Sequence, residues 1–112
     1  MNDLRWLPLI AWFFAGVFLT NGIPHFVSGV SGRAFQSPFS KPPGIGLSSS
    51  TANVVWGFFN AVLGYLLVCH VGSFDWHATA DVIALGSGAL LMALFLARYF
   101  GKFHGGDMSR AS

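Results

Sequence analysis

Apolar residues fill three long stretches of this chain, at about 6–23, 52–71 and 78–100, and only Asp81 and Arg98 put a charge inside any of them. At ~1.5 Å of rise per residue, about 20 helical residues cover the roughly 30 Å hydrocarbon layer of a bilayer, so each stretch is long enough to span one. The pattern predicts an all-α membrane protein with three transmembrane helices. In the second stretch Asn53, Gly57, Asn60 and Gly64 follow i, i+4, i+7 and i+11, so two amides and two glycines share one helix face. An amide facing lipid has no partner, whereas glycines let a neighbouring backbone come close, so that face is expected to meet protein. Asn60 lies deepest, about 12 Å in from the Ala52 end at the helical rise, and is expected to be the most consequential polar residue.

The first stretch opens with Pro8, tolerated in the first turn of a helix, and is expected to end at Ile23, because Pro24 disfavours helical angles in the residue before it. A cleaved secretory signal is the alternative reading. The head sets one arginine, Arg5, against Asp3, and Thr20-Asn21-Gly22 makes a poor cleavage site, so the stretch is expected to remain as a helix. Residues 28–50 form a long Gly/Ser/Pro-rich loop in which Pro38, Pro42 and Pro43 exclude a regular helix. Phe35, Phe39, Ile45 and Leu47 are spread through it, so it is expected to pack on the protein or dip into the membrane interface. Ser48, Ser49, Ser50 and Thr51 offer hydroxyls to cap the second helix. After Gly72 the connection 73–77 is short, which predicts an antiparallel hairpin with the second and third helices as neighbours. Gly86, Ala89, Ala93 and Ala97 give the third helix small residues at spacings of three and four, the pattern of close packing in lipid. Residues 101–112, with Lys102, His104 and Arg110 among glycines, are expected to form a basic flexible tail.

Composition narrows the function classes. The 112 residues are 54% hydrophobic and 9% charged, with a mean hydropathy of +0.61; a soluble domain carries roughly a quarter charged residues. The net charge of +2 is scattered, which excludes a phosphate-binding face and so nucleic acid as a partner. A single cysteine, Cys69, excludes an intramolecular disulfide and a CxxC or Cys-rich metal site. Three spans put the N-terminus and the 73–77 turn on one side, where Arg5 is the only Lys or Arg. The other side has Arg33, Lys41, Arg98, Lys102 and Arg110, so the long loop and C-terminus are expected to be cytoplasmic and the N-terminus outside. Trp6, Trp56, Trp76 and Tyr99 fall where interfacial aromatic belts are expected.

Four histidines raise the question of haem or metal, and the topology separates them. His25 and His104 belong to the loop side, His70 and His77 to the turn side, so haem cannot be held by pairing histidines across a membrane thickness within one protomer. His70, Asp75, His77 and Asp81 gather near the outer turn with ligand types that suit zinc or copper, but at no recognised metal spacing. They read as interfacial polar residues, with Asp75 as a helix cap. The stronger grouping for ligand binding is Asn21, Asn53 and Asn60, with His25 and Trp56 beside them. Antiparallel packing of the first two helices is expected to bring Asn21 and Asn53 to similar depth, in a pocket that opens toward the loop. Its amides suit a quinone carbonyl, a lipid head group or ordered water. The alternative is that they only join the helices, at about 0.6 kcal/mol per hydrogen bond. No carboxylate sits deep in any span, and Cys69 and His70 point in different directions on one helix, so no catalytic nucleophile is visible.

The run Ala15-Gly16-Val17-Phe18-Leu19-Thr20-Asn21-Gly22-Ile23-Pro24-His25-Phe26, then Pro38-Phe39, then Trp56-Gly57-Phe58-Phe59-Asn60-Ala61-Val62-Leu63-Gly64, resembles the pattern of DoxX-like small bacterial membrane proteins. In those, a Gly-x-x-His-Phe end to the first helix precedes a second helix with a Gly-x-x-Glu-x-x-x-Gly core. Asn60 stands where that glutamate would be, and the family usually has four spans where this chain offers three. The Asn-Gly-Ile-Pro-His-Phe run is also similar to other bacterial membrane proteins and adds no activity. The resemblance implies a multi-pass protein of the bacterial inner membrane, in some members tied to redox or respiratory complexes. The leading expectation is thus a non-enzymatic accessory or ligand-binding subunit of a membrane assembly. Its rival is a quinone-linked redox component that holds a carbonyl with Asn21, His25 and Asn60, and a third reading is an oligomeric small-solute transporter lined by the Asn53–Asn60 stripe. Membrane lipids, and a homo-oligomer or larger membrane complex, are the expected partners, because small residues on two helices exceed what one three-helix core needs.

Overall fold

The computed structural model describes residues 6–106 and is mostly helical. Three helices, α1 (Leu7–Val30), α2 (Ser50–Cys69) and α3 (Thr79–His104), have 24, 20 and 26 residues. All three are long and apolar enough to cross a membrane. Two short strands lie between α1 and α2: β1 (Phe35–Gln36) pairs antiparallel with β2 (Leu47–Ser48), Phe35 opposite Ser48 and Gln36 opposite Leu47. Large apolar side chains such as Phe14, Ile23, Val55, Phe58, Ile83 and Leu90 remain exposed along the helices, as a hydrocarbon surround favours and water does not.

The expected hairpin of the second and third helices is not what forms. α1 packs along both α2 and α3, while α2 and α3 share no extended contact. Glycines on two faces of α1 account for its central place. A Cβ on Gly22 would stand 2.7 Å from the Gly57 carbonyl oxygen, and one on Gly57 would stand 2.6 Å from the Phe26 backbone nitrogen. Toward α3, Gly16 lies against the backbone of Leu85 and Ala89, and Gly88 against the Phe13 carbonyl. Backbones this close need side chains of no size at the crossing, and α1 has that property on both sides. Gly86, counted in the expected small-residue stripe, meets nothing within 4 Å, so Gly88 is the glycine at the crossing.

Helix boundaries differ from expectation where tertiary contacts override local preference. α1 continues through Pro24 to Val30, because Gly22, His25, Ser28 and Gly29 are buried against neighbouring elements and hold the helix together past one missing N–H. α3 continues past Phe100 to His104 with Gly101 buried, and closes at Gly105, whose φ of 81° lets the Gly106 N–H donate to the Gly101 carbonyl at 3.1 Å. Residues 101–104, counted in the expected tail, belong to α3, and Arg110, like Arg5, lies outside the described residues. Ser49 caps α2 as its hydroxyl accepts from the Ala52 N–H at 3.1 Å.

The connection between α1 and α2 is a small hairpin with its own hydrogen bonds. The Ser37 and Ser48 hydroxyls bond each other, the Gly44 N–H donates to the Ser37 carbonyl at 2.7 Å, and the Ser40 hydroxyl donates to the same carbonyl at 2.7 Å. Phe35, Gln36, Ser37 and Ser40 are buried, whereas Phe39, Ile45 and Leu47 are exposed. The hairpin thus packs on the helices through the buried Phe35, several polar groups and the Phe39 ring, edge-on to Trp56 at 5.1 Å, while Ile45 and Leu47 face outward. At the opposite end Trp12 ties the α2–α3 turn to α1: its indole N–H donates to the Val71 carbonyl at 3.0 Å and its ring meets the Phe74 ring edge-on at 5.1 Å.

Candidate ligand site

The glycine crossing of α1 and α2 sets the register of their polar residues. The Asn21 amide donates from Nδ2 to Asn60 Oδ1 at 3.0 Å, and one turn further on His25 Nδ1 lies 2.7 Å from Asn53 Oδ1. The expected pairing of Asn21 with Asn53 is thereby corrected: each amide of α2 meets a different residue of α1. Asn53 and Asn60 are both 0% exposed. Asn60 Nδ2 donates to the Trp56 carbonyl of its own helix at 2.8 Å. Asn53 does more, since its Nδ2 faces the carbonyls of Phe35 at 3.1 Å, Ser48 at 3.3 Å and Ser49 at 3.0 Å. Asn53 thus joins three elements, α1, α2 and the hairpin, through one side chain.

Beside this ladder is a cavity of about 340 Å³ between α1, α2, α3 and the hairpin. Asn21, His25, Gln36 and Ser37 bring polar groups to it, and Trp56, Phe95, Tyr99 and Phe100 bring rings. No Asp, Glu, Lys or Arg lines it among the described residues. Such a space, mostly apolar with a few convergent polar groups, has the character and size of a small-molecule site. The hairpin forms one wall of it and is held to α3. The Tyr99 hydroxyl donates to the Gly44 carbonyl at 2.7 Å, and His104 Nε2 lies 2.8 Å from Gln36 Oε1. The Phe35 ring sits between two imidazoles, stacked on His104 at 4.9 Å and edge-on to His25 at 5.5 Å. Two histidines that topology put on one side are therefore brought near each other, with a phenylalanine between them.

Trp56 Nε1 is buried without a hydrogen-bond partner among the described residues. An indole N–H left so costs about 1–3 kcal/mol relative to one that is satisfied.

The turn-side residues make no comparable site. Asp81 accepts from the Asp75 N–H at 3.0 Å and Asp75 accepts from the His77 N–H at 2.8 Å, so the two carboxylates fold the turn. Asp75 is not the helix cap, since α3 starts after Ala78 with no side-chain cap bond. His70 meets the Tyr65 ring, and Cys69 is exposed. Among the described residues no group of three or more His, Cys, Asp or Glu gathers to hold a metal ion.

Gln36, Tyr99, Phe100 and His104 belong to the site and were not singled out for it by sequence reasoning. Their part depends on α3 lying beside α1 and on the hairpin register, and neither has a local sequence signal. No protein-family model, no curated protein and no solved structure matches the chain.

Proposed function

We propose that the protein is a multi-pass integral membrane protein that binds a small neutral amphiphile in the cavity beside the hairpin and carries out no chemistry of its own. The observation that supports this reading best is the cavity itself: an uncharged, ring-walled space into which α1 brings Asn21 and His25, open on one side and bordered by a hairpin tied to α2 through Asn53 and to α3 through Tyr99 and His104. We also propose that the cavity end is cytoplasmic, from the Lys/Arg bias, and that the membrane is the bacterial inner membrane, from the DoxX-like pattern. The face of α3 with Gly86 is left for self-association or docking in a larger assembly, because the glycines of α2 are taken up by α1.

The test is to extract and identify the small molecules that stay with the purified protein after detergent exchange. One neutral amphiphile in near-equal amount to the protein is expected. Only bulk phospholipid, at the ratio found with an unrelated three-span protein, would refute the reading.

A further inference from the structure

The hydrogen-bond network fixes which polar atoms the cavity offers, and with them the ligand it selects. Asn53 Nδ2 faces three carbonyls, so it is the donor end of that amide and Oδ1 is the acceptor that meets His25. A neutral imidazole has one N–H, and an acceptor opposite Nδ1 puts it there, which leaves Nε2 as a bare acceptor. The same logic runs through the second pair. The Trp56 carbonyl makes Asn60 Nδ2 the donor, so Asn60 Oδ1 accepts from Asn21 Nδ2, and Asn21 Oδ1 is left as an acceptor. Asn21 Oδ1 and His25 Nε2 have no hydrogen-bond partner among the described residues; Asn21 is half-buried and His25 nearly fully buried. Both side chains line the cavity, one helical turn apart on α1. Gln36 lines it as well, and since His104 can pair with either end of that amide, Gln36 adapts to donate or accept.

We infer that the cavity selects a neutral ring compound bearing a hydroxyl, of the phenol class, over carbonyl compounds that can only accept. This rests on the ligand-binding reading above. A hydroxyl donates to Asn21 Oδ1 or His25 Nε2 and accepts from Gln36, while Trp56, Phe95, Tyr99 and Phe100 supply walls for a flat ring. A ketone or quinone leaves both fixed acceptors without a donor. The inference thus runs against the carbonyl-bearing ligand that the amides suggest when counted without their network.

The test is calorimetric titration of the full chain in nanodiscs, with empty nanodiscs as the partition control. Three probes of one shape are compared: a para-pentyl phenol, its methyl ether and the corresponding aryl methyl ketone. The phenol is expected to bind about tenfold or more tightly than either of the others, the effect of one buried acceptor left unpaired. Equal binding by the ether or ketone overturns hydroxyl selection and leaves the cavity as a ligand site. Saturable binding by none of the three overturns both. Because the native protein is compared across probes, the outcome does not depend on any variant folding.

Discussion

Replacement of Asn53 by leucine is the perturbation that best separates this structure from a view in which the deepest amide matters most. Asn53 accepts from His25 and shares two amide hydrogens among the carbonyls of Phe35, Ser48 and Ser49. About three hydrogen bonds are lost in Asn53→Leu. At roughly 0.6–1.7 kcal/mol each in a membrane bundle, the loss comes to about 2–5 kcal/mol. Asn60→Leu removes one interhelical bond, from Asn21, and a bond to a Trp56 carbonyl of its own helix, so at the same worth per bond it should cost about 1–3 kcal/mol. The two changes also differ in place. Of these two amides only Asn53 bonds the hairpin, which α3 also holds through Tyr99 and His104, so Asn53→Leu and not Asn60→Leu should loosen it. Unfolding in mixed micelles with rising dodecyl sulfate gives the two energies, and tryptic cleavage after Arg33 in native micelles reports the hairpin. A cost for Asn60→Leu equal to that for Asn53→Leu, or a hairpin no easier to cleave in Asn53→Leu than in the native protein, would show that Asn53 is not the pin described here.

Three further outcomes are expected. Gly88→Leu should destabilise the fold by several kcal/mol, because its side chain has to displace the Phe13 backbone, whereas Gly86→Leu should leave the monomer within about 1 kcal/mol of native; similar unfolding curves for both would refute the α1–α3 crossing. Asn60→Asp should fail to accumulate in the membrane, because a charge at mid-bilayer costs at least about 2.5 kcal/mol and a carboxylate oxygen would replace the donor that faces the Trp56 carbonyl; expression equal to that of Asn60→Leu would mean that the crossing is wet. With cysteines at the exposed Phe39 and Ser73 positions in a Cys69→Ala background, an impermeant maleimide on intact cells should label the Ser73 position and not the Phe39 position; the reverse pattern would invert the orientation.

Where the sequence was legible, a periodic pattern met a simple physical demand. Three apolar runs gave three helices, and the stripe Asn53, Gly57, Asn60, Gly64 pointed to one buried face because both amides and close-packed glycines need protein beside them. The Ser49 cap followed from its hydroxyl before an apolar run. The rest depended on contacts between distant residues. Pro24 is a helix-ending signal that the packing of Gly22, His25 and Gly29 overrides. Gly86 and Gly88 are two positions apart, and spacing alone did not tell which of them meets α1. A short turn after α2 suggested a packed hairpin, but turn length does not decide which helix is in the middle, and glycines on both faces of α1 do. In the site, Asn21, His25, Asn53, Trp56 and Asn60 were legible as polar or amphipathic groups at membrane depth. Their partners Gln36, Tyr99 and His104 were not, since each reaches the cavity from a separate element.

Imidazole nitrogen NMR of His25, in protein labelled at histidine and held in nanodiscs, tests the ligand site most directly. The account predicts an N–H at Nδ1, a bare Nε2 when the cavity is emptied by extraction, and a change in the Nε2 resonance when a phenol fills it, with Nδ1 held to Asn53 throughout. An N–H at Nε2 in the emptied protein, or an Nδ1 that carries no N–H toward Asn53, would contradict it.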